Sequence, residues 1–196
     1  VAAAAGQPAA ACFALGDFNF RLDHAAVVRH VCGDAELARA AGMGDDETIE
    51  LAAGGAAHIT VAKKRFALVD PAAVCRSLDT WRSFDCELAR FNDTHPALAL
   101  HEAPWRHPPT FCYAEADDSA LQIAPQDLTD PADIGQCFNP KRCPAWPDRV
   151  LMDDAARRLV AASPSAARYG SVCQRPIISD HNIVYLAFAC AAEGGA

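Results

Sequence analysis

No apolar stretch in this 196-residue chain approaches the roughly 20 residues that a transmembrane helix needs. The amino-terminal run Val1-Ala2-Ala3-Ala4-Ala5 lacks the basic flank and apolar core of a secretory signal. None of the nine cysteines sits in a C-x-x-C pair, and nine in a chain this long fit no small disulfide scaffold. They read as reduced thiols of a cytoplasmic protein rather than as staples or a metal-thiolate centre. No internal repeat is visible. An excess of basic residues is missing as well: 17 Lys and Arg stand against 25 Asp and Glu, a net charge of −8. That balance speaks against a nucleic-acid surface, whose footprint is a basic stripe. It does not exclude a small phosphorylated ligand, since a few cations gathered in one pocket suffice inside an acidic protein.

What is present suits one globular core: 52% hydrophobic and 21% charged residues. Residues 1–10 are Ala/Gly/Pro-rich and are expected to pack poorly, residues 11–190 to form the domain, and 191–196 to be a tail. Asp23 is placed to cap a short helix with Ala26, Val27, Val28 and Val31 as its apolar positions. Residues 33–60, rich in Gly, Ala and acids, read as weak helix and loop. From Pro71 to Phe91 the spacing of Val74, Leu78, Trp81, Phe84 and Leu88 predicts one helix, with Trp81 in the core. The proline-rich stretch from Pro104 to Pro140 predicts mostly loop. A second helix is expected after Asp153, and a closing strand over Ile183 to Phe188.

The segment Gly16-Asp17-Phe18-Asn19-Phe20-Arg21-Leu22-Asp23 directly follows the apolar run Cys12-Phe13-Ala14-Leu15. It reads as a buried strand opening into a turn at Gly16, with Asp17 and Asn19 on one face of extended chain. A carboxylate and an amide at a strand exit are suited to holding a water and a phosphoryl oxygen. A turn that merely tolerates Gly, Asp and Asn would use the same residues. Two further segments decide between these readings. They are Lys141-Arg142-Cys143-Pro144-Ala145-Trp146-Pro147-Asp148-Arg149 and Ser179-Asp180-His181, the latter just before the closing strand.

These three segments, in this order, resemble the inositol polyphosphate 5-phosphatases of the endonuclease/exonuclease/phosphatase superfamily. The resemblance covers roughly residues 11–190 and is nearest to the type I enzymes. Those share the full octet at 16–23, a Lys-Lys-x-Phe (Lys63, Lys64, Phe66) and a Phe-Asp-x-Glu-Leu (Phe84, Asp85, Glu87, Leu88). Pro108-Pro109-Thr110-Phe111-Cys112-Tyr113 is similar to a family segment in which lipid-directed members carry a lysine where Cys112 stands. The implied fold is α/β (α+β), a DNase I-like two-sheet sandwich flanked by helices. The resemblance also implies that this chain is the carboxy-terminal half of it, incomplete on the amino-terminal side, where a metal-binding glutamate and a catalytic histidine belong.

The implied chemistry is Mg²⁺-dependent removal of the 5-phosphate from soluble inositol tris- and tetrakisphosphates. Asp17 would orient or deprotonate the water, and Asn19 would bind a phosphoryl oxygen. His181, charged and fixed by Asp148, would stabilise the phosphorus centre, and Asp180 would order the metal. Arg21, Lys141, Arg142 and Arg149 are the candidate substrate cations. Arg149 has a structural alternative, pairing with a neighbouring acid, and Lys63-Lys64-Arg65 could gather a second phosphate or be a solvated run. His24, His30, His58, His95, His101 and His107 lack metal-ligand spacing and are expected in surface or loop positions. Pro147 and Ile183 depart from the family's usual cysteine and proline. No prenylation box is present, so no anchor is expected, although passing contact with a membrane surface stays open. Two other functions stay open: a superfamily phosphodiesterase or nuclease, and a non-catalytic module that binds inositol phosphates or a partner.

Overall fold

The computed structural model describes residues 10–63, 65–116 and 126–190. The expected low-complexity start up to residue 9, Lys64 and the tail at 191–196 lie outside the described residues. The chain opens with β1 (Phe13–Asp17), α1 (His24–Cys32) and α2 (Asp34–Ala41), then β2 (Thr48–Ala53), β3 (Ala56–Ala62) and β4 (Arg65–Leu68). Three short helices follow: α3 (Ala73–Arg76), α4 (Leu78–Arg82) and α5 (Glu87–Thr94). After a 3-10 turn at Pro96–Leu98 come β5 (His101–Glu102), β6 (Gln126–Asp127), α6 (Pro131–Gly135) and β7 (Asp148–Met152). The chain closes with α7 (Asp154–Ala161), β8 (Arg168–Val172), β9 (Gln174–Arg175) and β10 (Ile183–Ala187).

The expected α/β architecture is present, in small antiparallel sheets flanked by helices. Strands order as β1-β7-β5, β2-β3-β4, β8-β10 and β6-β9. β10 of the β8-β10 pair lies against β7, an arrangement consistent with a two-sheet α+β fold. Met152 on β7 and Ala156 and Val160 on α7 form one core cluster, with Phe13, Leu186 and Phe188 packed beside them. The larger core lies between α1 and the β2-β3-β4 sheet and includes Val27, Val28, Leu51, Ile59, Trp81, Trp105 and Trp146. No helix among the described residues is long and apolar enough to cross a membrane.

Local signals explain several elements. Asp23 and Asp153 each accept a hydrogen bond from the backbone N–H three residues on, at 3.0 and 2.7 Å, and so cap α1 and α7. Two expectations are corrected. Residues 48–62 form a hairpin rather than weak helix and loop: Leu51 opposes Ile59, both fully buried, across a Gly54-Gly55 turn in which both φ values are positive. The continuous helix expected over 71–91 is instead three short ones. Its apolar residues still reach the core, but Ser77 leaves helical geometry at φ −140°. Farther on, the Phe84 carbonyl turns to accept from the Asp23 N–H at 2.8 Å. Tertiary partners outweigh the local period there.

Candidate active site

The antiparallel register of β1 and β7 sets Asp17 directly across from Asp148, at the end of both strands. Beyond them the Phe18 N–H donates to the Pro147 carbonyl at 2.8 Å. Pro147 therefore meets its neighbour strand through the acceptor it retains, not through the donor a proline lacks. Asn19 does not continue the extended chain. It adopts φ 55°, and its N–H donates to the Asp17 carboxylate at 2.7 Å. The expectation that Asp17 and Asn19 share the face of a straight strand is corrected to a turn closed by the Asp17 side chain. The turn and the candidate site are one feature.

The Ser-Asp-His loop reaches this strand end through the segment 110–113. The Asn182 N–H donates to the Thr110 carbonyl at 2.7 Å, and the Tyr113 N–H to the Asp180 carbonyl at 2.9 Å. On its other side the same segment bonds Ala145, just before β7. His181 is thereby laid against the two aspartates. Its Nδ1 lies 2.9 Å from Asp148 Oδ2, and its Nε2 lies 3.9 Å from Asp17 Oδ2. Because a carboxylate only accepts, the Nδ1–H is the donor to Asp148. Phe111 backs the ring at a centroid distance of 4.8 Å, and the Arg21 guanidinium covers Phe111 at 4.2 Å. Arg21 also donates to Asn19 Oδ1 at 3.2 Å, which points the amide NH₂ of Asn19 elsewhere as a donor.

Asp17, Asp148 and His181 offer ligand atoms that all lie within 4.8 Å of one another. Two carboxylates in such a group suit a hard divalent cation. Asp180, expected at the metal, is not in that group. It is exposed, and its backbone is engaged by Tyr113. Arg149 is the second departure. It is 2% exposed and pairs with Asp85 and with Glu102 (2.7 Å), while its Nε donates to the Trp146 carbonyl at 2.5 Å. It faces the protein interior, not a ligand. Burial pushes the Asp85 carboxyl up even against that guanidinium. His107, expected near the surface, is also buried, stacked on Trp105 at 4.6 Å.

The cations sort unevenly. Arg21, His24, Lys63, Arg65 and Arg142 line a cavity of about 430 Å³, and its Phe111 is the ring that backs His181. Lys63 also pairs with Asp46 at 3.0 Å. Lys141 is exposed and does not line this cavity; its backbone N–H donates to Asn139 Oδ1 at 3.0 Å. Two residues without an assigned role emerge beside the expected ones, Thr110 and Phe111. Their only signal in sequence is the Pro-Pro-Thr-Phe segment itself.

Comparison with known proteins finds sequence relatives of this chain. Over 192 residues, 93% of the chain, the sequence is 30% identical to inositol polyphosphate-5-phosphatase A of Canis lupus familiaris. The same identity and coverage hold for inositol polyphosphate-5-phosphatase A of Rattus norvegicus and of Mus musculus. The chain is a sequence relative of the inositol polyphosphate 5-phosphatases. It spans 42% of the length of these relatives, consistent with part of a 5-phosphatase catalytic domain. No family model matches the chain, and no solved structure matches it. For a 5-phosphatase relative, the convergence of Asp17, Asp148 and His181 at one strand end is the central local observation.

Proposed function

We propose that the chain supplies the water-orienting and phosphoryl-binding part of a Mg²⁺-dependent phosphatase that removes the 5-phosphate of soluble inositol polyphosphates. Inositol 1,4,5-trisphosphate and inositol 1,3,4,5-tetrakisphosphate are the substrates of this reading, and the cellular consequence is an end to calcium-mobilising signalling in the cytoplasm. The observation that carries it is the placement of the His181 ring between two facing carboxylates. Asp17, the more exposed of the two, orients the attacking water and takes its proton. His181, held by Asp148 through its Nδ1–H, presents Nε2 to an equatorial phosphoryl oxygen, to which it donates once that nitrogen is protonated and where negative charge gathers. Asn19 donates its amide to a second oxygen. Asp17 and Asp148 are the residues that would hold a divalent cation, which when bound neutralises phosphate charge and makes water more acidic.

The basic cavity supports a polyphosphorylated substrate over a plain monoester. Arg21 links it to the catalytic cluster, and Arg65 and Arg142 add forked donors for phosphates that do not react. On the other side of His181 lies an apolar groove of about 600 Å³ lined by Leu15, Ile177, Ile178 and Ile183. The remainder of the catalytic domain is the proposed cover for that groove, so the isolated chain is expected to turn over weakly or not at all. Phosphate release from inositol 1,4,5-trisphosphate tests this, using the chain alone and joined to the part of a relative that it does not span. The joined protein should be active with Mg²⁺ and stop with EDTA. Arg142→Ala should raise KM with little change in kcat, and Lys141→Ala should do less. A joined protein that cleaves plasmid DNA and ignores inositol phosphates would overturn the reading.

A further inference from the structure

We infer that Thr110 is a positioning residue: its hydroxyl fixes which oxygen of Asp148 meets His181, and thereby holds the imidazole with its proton on Nδ1. Thr110 is fully buried, in the loop ahead of the closing segments of the chain. Its hydroxyl donates to Asp148 Oδ2 at 2.6 Å, the same oxygen that His181 Nδ1 meets at 2.9 Å. The Oγ also faces the Asp148 backbone N–H at 3.4 Å. The Thr110 main chain cannot drift, because its N–H donates to the Ala145 carbonyl at 3.0 Å and its carbonyl accepts from the Asn182 N–H at 2.7 Å. One residue is thus bonded to the approach to β7, to the Asp148 carboxylate and to the loop that carries His181.

The need for such a restraint follows from the register. Asp148 faces Asp17 across the β1–β7 ladder, and like charges placed directly opposite repel. Held only by His181, the Asp148 carboxylate would be drawn toward solvent, and the ring would lose the acceptor that selects its tautomer. The buried hydroxyl provides a second, charge-assisted hydrogen bond that keeps Oδ2 in place. Valine has nearly the same shape as threonine and removes the hydroxyl, both the donor to Oδ2 and the acceptor that faces the Asp148 N–H.

The inference takes its chemistry from the proposed phosphatase reading, but the deciding experiment reads the histidine ring and not turnover. Long-range ¹H–¹⁵N spectra of the histidine rings at pH 8 are compared for the wild-type chain and for Thr110→Val, Thr110→Ala and Thr110→Ser. The His181 resonance is assigned by its loss in His181→Asn. Wild type and Thr110→Ser should show His181 as the Nδ1–H tautomer. The valine and alanine variants should shift to a mixture or to Nε2–H. If valine disturbs folding, as judged by circular dichroism, the alanine variant decides. An Nδ1–H ring retained without the hydroxyl would overturn the inference. So would a serine variant that behaves like valine, since that would place the effect in the methyl group. Where the joined enzyme is active, Thr110→Val should lower kcat at least tenfold with KM little changed. An inactive wild type would reject the phosphatase reading, while the tautomer shift would still decide the role of Thr110.

Discussion

Asp17 and Asp148 are cross-strand partners, facing each other at the open end of the β1–β7 ladder, with His181 contacting both. Two like charges so placed cost stability, of the order of 0.2–1 kcal/mol for a directly opposed pair. A fold with no use for them would lose nothing by replacing one. The arrangement sets an imidazole against two carboxylates and leaves the more exposed of the two open to solvent.

Asp17→Asn separates these two effects. The amide still accepts the Asn19 N–H that closes the turn, so the local backbone should persist. Thermal unfolding should show a midpoint equal to wild type or raised, because the repulsion is gone. Turnover of the joined enzyme should fall by orders of magnitude, since an amide cannot take a proton from water. A lowered midpoint together with retained turnover would reverse both assignments.

Much of this site was legible in sequence because its residues occupy short contiguous motifs at strand ends. Asp23 and Asp153 announced their helices by capping chemistry alone. Less visible was whatever depended on distant partners. Arg149 lies one residue from Asp148, so sequence placed it in the same site. Alternation along β7 instead turns it inward to Asp85 and Glu102, residues 64 and 47 positions away. The same pull on Asp85 helps break the helix expected through it. The 48–62 hairpin was missed because alanine and glycine dilute its alternation, although the paired glycines mark its turn.

Arg149→Lys should destabilise the chain strongly. A lysine cannot fork to two carboxylates and the Trp146 carbonyl at once, and Asp85 and Glu102 would remain buried with one charge between them. Loss of a partner from a buried ion pair costs about 3–5 kcal/mol. Urea denaturation should show a lower midpoint of that order. Arg149→Met combined with Asp85→Asn should recover part of the loss. If Arg149→Lys leaves the midpoint unchanged, the buried network is not what fixes β7.

Stability should fall as pH drops from about 6.5 toward 4, before most carboxylates protonate. Burial between Trp105 and the core holds the His107 imidazole down to about 4, against 6.5 for an unperturbed ring. The unfolded chain therefore binds a proton that the folded chain refuses throughout that window. The contribution is intact above pH 6.5, declines through the window and levels off below 4, for a total of about 3 kcal/mol. His24, lowered by partial desolvation where its ring stacks on Phe66, acts in the same direction. His107→Gln should flatten the slope measured by denaturation at pH 7 and pH 4.5, and an unchanged slope would assign it to other groups.

The apolar face beside Asp148 and His181 should make the isolated chain self-associate. Leu15, Ile178 and Ile183 are 73%, 79% and 71% exposed, and they line one groove rather than scattering over the surface. Among the described residues β1 is an edge strand of its sheet, and β8 and β10 form a sheet of only two strands, so unpaired backbone groups adjoin that surface. Contiguous apolar surface next to open edges seeks cover. Sedimentation velocity over a rising concentration series should show a shift to larger species, and Leu15→Ser with Ile183→Ser should weaken it. Joining the chain to the part of a relative that it does not span should abolish the shift, because the proposed cover would then be present. A chain that stays monomeric and unfolds in one sharp transition would mean that this face needs no cover. The proposal that the catalytic domain is completed there would then fail, whatever the outcome at Asp17.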